Sequence, residues 1–368
     1  QVRMQQAGSV LTFELSRPFE ARAVTVRRGK REKPLDPHDG PRDYAPDLKL
    51  EVSEDGRHYV DVSNISCPAL RSMDTPGIAL FGAVKGRYFR FITNRGTNIS
   101  EVLLHASTRL TDWTAKTNYV KDPVALGNYD CRDVTGQTVD PSSVIDITSL
   151  MNTDGRLKWK SPRGVKCWII LRIGSTTTGE VVAAAPDSGV GLDCDKFSKK
   201  ALDQHFDNFL TPLLNKLKPW CGKTLKALMM DSWEAGKQNW TSSLPDYFKQ
   251  HCGYDSTPWL LAMTGRIVGS IEETERFLYD MRRTQTDMFN ENFLAYFKEK
   301  AALYGLKFAA EPYGDGNFES LEYAEVLDYP MSEFWVHYIY GGVTTSKMAA
   351  STSHLWNRPI VGAECFTG

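Results

Sequence analysis

Alternating apolar and polar residues run through the first third of the chain, from about residue 9 to residue 107. The alternation has a period of two, which is typical of strands that bury one face. It predicts short strands at residues 10–15, 23–26, 48–52, 88–92 and 101–104. Turn formers such as Asp55-Gly56 and Lys85-Gly86 separate them, as in antiparallel sandwiches. We therefore expect a β-sandwich over residues 1–110.

The pattern changes at about residue 165, where short apolar runs begin to alternate with amphipathic helical segments. The runs predict strands at 167–173, 225–231, 306–311, 329–333 and 359–364, and the longer segments predict helices near 195–218, 271–304 and 345–356. For the second helix, Ser270 is a suitable N-cap with Glu273 as its capping-box partner. Gly305 suits the position just after its last turn. Strands that alternate with helices favour a parallel sheet built from βα units.

The expected fold class is a multidomain protein with an incomplete (β/α)8 barrel. Residues 165–368 supply five predicted strands, which are too few to close an eight-stranded barrel. About three further strands are therefore expected before Gln1 and after Gly368. Residues 111–164 contain few periodic runs, and we expect them to be a linker with a small strand pair that returns the chain to the barrel.

Charge and composition narrow the range of partners. Hydrophobic residues make up 41% of the 368 residues, which is ordinary for a packed globular protein. Lys and Arg (44) nearly balance Asp and Glu (45), so no global field would attract nucleic acid or an anionic membrane. No apolar stretch approaches the length that spans a bilayer. We expect no nucleic-acid partner, no membrane insertion, and a secreted or periplasmic protein whose signal lies outside this chain.

Carboxylates stand at the ends of four of the five predicted barrel strands. They are Asp231 with Glu234, then Glu311, Glu333 and Glu364. Catalytic groups of parallel barrels lie at the carboxyl ends of the strands. Glycoside hydrolysis needs one protonated carboxyl that donates to the leaving oxygen and one ionised carboxylate that activates water or attacks. The same crowding of acids could bind a hard cation, which prefers oxygen ligands.

Several other residues have two possible interpretations. Trp233 and Trp335 lie next to the acids and could form a platform for a sugar ring, or they could simply close the top of the core. Arg172 and the polar run 174–179 (GSTTTG) follow a predicted strand and could bind a sugar hydroxyl, or they could be an ordinary connection.

Six segments of the chain resemble glycoside hydrolase family 106, the α-L-rhamnosidases. They are GLDCDK (191–196), DSWEAG (231–236), GYDSTPWLLAMTG (253–265), EPYG (311–314), MSEFW (331–335) and VGAECFT (361–367). The resemblance spans about residues 113–368 and includes the inserted sandwich. Within that sandwich, EVSEDGRHY (51–59) and GRYFRF (86–91) resemble galactose-binding-like modules of glycoside hydrolases.

This resemblance implies an inverting enzyme on a (β/α)8 barrel with an active-site calcium ion that engages rhamnose hydroxyls. Glu234 in DSWEAG matches the general acid of the family, and Glu364 in VGAECF matches the general base. Glu333 in MSEFW matches a third carboxylate, which we assign to calcium or substrate. Asp231 is a candidate calcium ligand, and Glu311 is assigned to substrate.

The sequence therefore predicts hydrolysis of a terminal α-L-rhamnosyl linkage in a glycan or glycoside. Two alternatives stay open: a non-catalytic carbohydrate-binding protein on a degenerate barrel, and a barrel hydrolase for another sugar. The presence of Glu234, Glu333 and Glu364 together argues against the first alternative, because binding alone requires no proton donor.

Overall fold

The structure is a computed structural model that describes most of the chain. The described residues are 2–4, 6–28, 48–65, 76–94, 97–118, 134–165, 167–181, 186–334 and 342–365. Two compact units divide the chain. The first comprises Gln1–Asp146 and Thr257–Leu278, and the second comprises Ile147–Ser256 and Tyr279–Gly368. The boundary at residue 146 falls inside the segment that the sequence predicts to be a linker.

The first unit is built on a six-stranded antiparallel sheet. Its strands are β1 (Val2–Met4), β2 (Val10–Arg28), β3 (Leu48–Ser53), β4 (Val60–Ile65), β5 (Gly77–Thr93) and β6 (Thr97–His105). They are arranged in the order β1-β6-β2-β5-β3-β4. All five strands predicted in this region lie within these elements. The structure describes one hydrogen-bonded sheet, and the galactose-binding-like sandwich stays a prediction.

The long strand β2 joins two segments that the sequence predicts as separate strands. Its pairing with β5 shifts register between Glu14 and Phe19, and again between Ala21 and Ala23. Pro18 lies in the first shift, where the ladder requires no N–H donor. Apolar residues of β2, β3 and β5 belong to one hydrophobic core, which includes Val24, Leu50, Phe89 and Phe91. Each of these large side chains contributes roughly 1.5–3 kcal/mol by leaving water.

The rest of the first unit follows the sheet. It contains helix α1 (Trp113–Lys116), a 3-10 turn at Pro141–Ser143 and a 3-10 segment at Thr257–Thr264. Main-chain hydrogen bonds attach the later segment to the earlier one. The N–H of Leu110 donates to the carbonyl of Gly265 at 2.8 Å, and the N–H of Val139 donates to that of Ile267 at 2.8 Å.

The second unit is built on a parallel sheet with the order β10-β9-β8-β7. Its strands are β7 (Ala227–Met230), β8 (Lys307–Ala310), β9 (Tyr329–Phe334) and β10 (Gly362–Cys365). The helices that accompany them are α2 (Lys199–His205), α3 (Thr211–Leu217), α4 (Leu244–Cys252), α5 (Ile271–Phe289), α6 (Tyr296–Ala302), α7 (Ser320–Val326) and α8 (Gly342–Leu355). The residues of α5 up to Leu278 belong to the first unit. Single π-helical turns join α2 to α3 and α5 to α6. The βα pattern predicted from the sequence is confirmed, and a parallel sheet of this kind fits part of a barrel.

One predicted strand is wrong. Residues 167–173 (CWIILRI) form no strand, and no other described segment pairs with them. Ile169 is 75% exposed, and Ile170 and Ile173 are also exposed. β-Branched residues favour extended backbone, but a strand also needs a neighbour that accepts and donates its main-chain hydrogen bonds.

The ends of the long helical segment agree with the sequence. The hydroxyl of Ser270 accepts a hydrogen bond from the N–H of Glu273 at 3.1 Å, as expected of an N-cap. At the other end, Gly305 has a φ of 68°. The N–H of Gly305 donates to the carbonyl of Ala302 and the N–H of Leu306 to that of Ala301, which is the Schellman arrangement. None of the described helices is long and apolar enough to cross a bilayer.

Candidate active site

The strand register places the carboxylates at one edge of the parallel sheet. Strands β7 and β8 are paired up to Met230 and Ala310, so Asp231 and Glu311 follow side by side. Glu333 in β9 is paired directly with Glu364 in β10. Paired residues of neighbouring strands point to the same side, and residues two apart on one strand do so as well. Ala310 is paired with Pro330 on β9, so Glu311 is level with the residue two positions before Glu333. Glu311 therefore shares a face of the sheet with Glu333 and with its partner Glu364.

Three of these side chains meet. Asp231, Glu311 and Glu364 each offer one carboxylate oxygen, and these three oxygens lie within 4.8 Å of one another. Glu333 is close enough to raise the pKa of Glu311. The structure therefore brings together four of the five carboxylates that the sequence selects.

Glu311 is the most unusual of these groups. Its side chain is 0% exposed, and among the described residues no donor stands in hydrogen-bonding geometry to either carboxylate oxygen. Burial, first, and the nearby Asp231 carboxyl, second, raise the pKa of Glu311 to about 8, whereas Tyr313 acts in the opposite direction. A carboxyl in this environment is either protonated at neutral pH or compensated by a cation.

Glu234 lies three residues beyond Asp231 and is exposed. Its carboxylate accepts a hydrogen bond from the hydroxyl of Ser232 at 2.9 Å. The N–H of Ser232 in turn donates to the Asp231 carboxylate at 2.9 Å. Glu234 thus reaches solvent from a short loop that begins at the carboxylate cluster.

Trp233 belongs to the core. Its side chain is only 5% exposed. The indole packs against the rings of Phe289 and Phe318, with centroid distances of 5.0 and 6.0 Å. These contacts favour the packing interpretation over a sugar platform, because the ring offers little surface to a ligand.

The main chain at Trp233 requires a glycine on the neighbouring loop. The N–H of Trp233 donates to the carbonyl of Tyr313 at 3.1 Å, and Trp233 forms a parallel bridge with Gly314. Gly314 has a φ of 123°, and a β-carbon there would lie 2.2 Å from the carbonyl oxygen of Trp233. Only glycine permits this approach, which explains the last residue of the EPYG segment.

The other selected residues lie apart from this cluster or outside the described chain. Arg172 is exposed, and its guanidinium nitrogens pass 3.3 Å from where a β-carbon of Gly155 would be. Among the described contacts, none joins Arg172 to the carboxylates. Trp335 lies outside the described residues. The sequence reasoning missed Tyr313 as a site residue, although it stands inside the EPYG segment.

Comparison with known proteins identifies the family. A family model described as glycoside hydrolase 106, alpha-L-rhamnosidase, matches residues 7–368. The chain belongs to this family.

Two relatives of this family 106 chain show how much of a longer protein it covers. The solved structure of a rhamnosidase from Novosphingobium sp. PP1Y is 26% identical with a TM-score of 0.75, and the match covers 98% of this chain and 34% of that one. A Formosa agariphila protein with the provisional name beta-glucuronidase is 39% identical over 233 residues, which are 62% of this chain and 19% of that protein. The chain thus spans about a third or less of the relatives it matches.

Proposed function

We propose that the protein containing this chain is an inverting glycoside hydrolase that releases terminal α-L-rhamnose from glycans or glycosides. The observation that carries the proposal is the convergence of Asp231, Glu311 and Glu364 at the carboxyl edge of the parallel sheet, in a chain of family 106. The proposed partner of the protein is a carbohydrate substrate. We further propose a secreted or periplasmic location, which suits an enzyme that acts on external glycans.

Glu234 is the proposed general acid and Glu364 the proposed general base. Glu234 donates its proton to the glycosidic oxygen as the bond to the anomeric carbon breaks. Glu364 takes a proton from a water molecule, whose oxygen attacks the anomeric carbon from the opposite face. The product is β-L-rhamnose. This mechanism requires the two carboxyl groups to stand about 6.5–9.5 Å apart, so that water fits between base and sugar.

The carboxylate cluster fits a calcium ion. The ligands that Ca²⁺ prefers are carboxylate oxygens, and Asp231, Glu311 and Glu364 each supply one within a small space. Among the described residues, no donor stands in good hydrogen-bonding geometry to the buried oxygens of Glu311, and a cation would compensate for this. Glu333 is the fourth proposed ligand or substrate contact. A bound calcium ion would supply positive charge that engages sugar hydroxyls and keeps these carboxylates ionised.

A second candidate activity comes from the Formosa relative. A β-glucuronidase must bind a sugar that carries its own carboxylate. The described edge of the sheet presents Asp231, Glu311, Glu333 and Glu364, and like charges repel such a substrate. One bound Ca²⁺ would offset only two of four ionised carboxylates, so the edge would keep a net negative charge. This arrangement favours the neutral rhamnose over a uronic acid.

Hydrolysis of two aryl glycosides by the full-length protein tests the proposal. We expect p-nitrophenol release from p-nitrophenyl α-L-rhamnopyranoside and little from p-nitrophenyl β-D-glucuronide. Proton NMR of the rhamnoside reaction should show the β-anomer first. Release from the glucuronide but not from the rhamnoside would replace the proposed substrate, and an α-anomer formed first would refute inversion.

A further inference from the structure

The segment GLDCDK at residues 191–196 has no part in the chemistry described above, yet its side chains contact residues that are distant in the sequence. Asp195 accepts hydrogen bonds through both carboxylate oxygens. The side-chain amide of Gln238 donates to it at 2.5 Å, the hydroxyl of Thr241 at 2.8 Å and the N–H of Phe197 at 2.9 Å. The bond to Phe197 is a local turn contact. The other two link positions more than 40 residues apart.

Gln238 and Thr241 belong to residues 231–241, which we call the acid loop because it carries Glu234. The amide of Gln238 is bound at both ends, since its oxygen accepts from the N–H of Lys196 at 3.0 Å. Lys196 is 7% exposed. Its ammonium pairs with Asp193 and lies 4.7 Å from the ring centroid of Trp233. The GLDCDK segment therefore contacts the acid loop at Trp233 as well as at Gln238 and Thr241.

The acid loop is also held from the segment after β8. The N–H of Trp233 donates to the carbonyl of Tyr313, and the N–H of Gly236 donates to the carboxylate of Asp315 at 3.2 Å. Glu234 lies between these two anchored positions. An exposed carboxyl on a loop fixed on both sides is preorganised, and preorganised groups react faster because less ordering is needed in the transition state.

We propose that Asp195 is a positioning residue that fixes the acid loop through Gln238 and Thr241, so that Glu234 reaches the leaving oxygen of the substrate. This inference rests on the proposed function, in which Glu234 is the general acid. It assigns to the GLDCDK segment a role in catalysis rather than in folding alone.

The test uses the leaving-group dependence of the full-length enzyme. A misplaced acid slows substrates with poor leaving groups, such as an alkyl rhamnoside, and spares 2,4-dinitrophenyl rhamnoside, whose phenolate leaves without a proton. Asp195→Ala should lower kcat on the alkyl rhamnoside by about 10- to 100-fold and on the dinitrophenyl rhamnoside by less than about threefold. Thr241→Val removes one donor and keeps the side-chain volume. It should also lower kcat more on the alkyl rhamnoside than on the dinitrophenyl rhamnoside, but by a smaller factor than Asp195→Ala.

A double-mutant comparison separates positioning from folding. In a Glu234→Gln background there is no acid to position, so Asp195→Ala and Thr241→Val should have almost no further effect on kcat for the alkyl rhamnoside. The matched control is Asp207→Asn, an exposed aspartate, which should leave both substrates unaffected. If Asp195→Ala does not fold, Thr241→Val decides the question by the same comparison.

Three results would overturn the inference. Equal losses on both substrates, or an undiminished loss in the Glu234→Gln background, would make Asp195 a structural residue while the proposed function stands. If Glu234→Gln itself shows no split between the two substrates, the acid assignment is wrong, and the positioning role is refuted together with it.

Discussion

Two buried glutamates, one in each unit, have opposite surroundings. Glu51 in β3 is 6% exposed, and cations enclose its carboxylate: Arg90 donates from Nε at 2.7 Å, and the ammonium of Lys49 lies 3.1 Å away. Glu311 after β8 is fully buried, and its neighbours include the carboxyls of Asp231 and Glu333. The first carboxylate is neutralised by its fold, and the second is not.

We infer from this difference that Glu51 is a structural acid and that Glu311 is a functional one. A buried charge costs several kcal/mol unless it is paired, so a fold without further use for Glu311 would gain by replacing it. Strongly perturbed carboxyls collect at functional sites for this reason. The two glutamates have similar exposure, and it is the charge of the neighbouring side chains that distinguishes Glu51 from Glu311.

The largest expected effect contrasts the two regions in activity. Glu364→Gln should lower kcat by about 10²- to 10⁴-fold on alkyl and activated aryl rhamnosides alike, because water activation is needed for every substrate. Glu51→Gln should retain full kcat per folded molecule. Steady-state rates normalised to the folded fraction measure both. More than a tenth of the activity remaining in Glu364→Gln would remove it from the role of base.

The sequence predicts the strands that carry the proposed catalytic residues. The βα pattern gives β7, β8, β9 and β10 within a few residues, because each is a short apolar run between helical segments. The strand at 167–173 fails because residue preference cannot reveal whether a neighbouring strand is present. The apolar run looks the same with or without one.

The site could be predicted only in part. Polar residues that end parallel strands must meet at one edge, so Asp231, Glu311 and Glu364 could be selected without a structure. The burial of Glu311 could not, since it results from packing around β8 that no local pattern encodes. The same limit applies to Trp233, whose ring is covered by Phe289 and Phe318 from distant parts of the chain.

Removal of calcium is the next expected effect. Exhaustive EDTA treatment should lower activity by roughly tenfold or more and lower the Tm, because an ion that binds the folded state at 100 times its Kd stabilises it by about 2.7 kcal/mol. Re-addition of Ca²⁺ should restore both. Glu311→Gln, which lacks one proposed ligand, should show a much smaller rise of Tm with Ca²⁺. Full activity with no bound metal by elemental analysis would exclude calcium.

Conservative substitution of the two glutamates should change stability in opposite directions. Glu51→Gln leaves Arg90 and Lys49 without their shared anion, so its Tm should fall by several degrees. Glu311→Gln replaces an uncompensated carboxyl by a neutral amide and should raise the Tm by a few degrees in EDTA at pH 8. Glu54→Gln, at an exposed position near β3, is the matched control and should change nothing. Shifts of the same sign for Glu51 and Glu311 would end the contrast between them.

The smallest expected effect is the pH dependence of the change in Tm that Glu311→Gln causes in EDTA. The pKa of Glu311 is about 8 in the folded protein and about 4.3 in an unfolded chain. Between these values the folded state holds a proton that the unfolded state releases, so stability falls as pH rises. The contribution of protonated Glu311 to the free energy of unfolding is fully present below about pH 4.3 and is lost as the pH rises through about 8.

Glu311→Gln has no such proton, so in EDTA its advantage in Tm over the unaltered protein should be smallest at pH 5 and grow steadily to pH 8. Differential scanning fluorimetry at constant ionic strength measures this difference directly. Saturating Ca²⁺ should reverse the trend, because the ion binds the ionised carboxylate and gains affinity as pH rises. A difference in Tm that stays constant from pH 5 to pH 8 in EDTA would show that Glu311 has an ordinary pKa and that its burial carries no electrostatic cost.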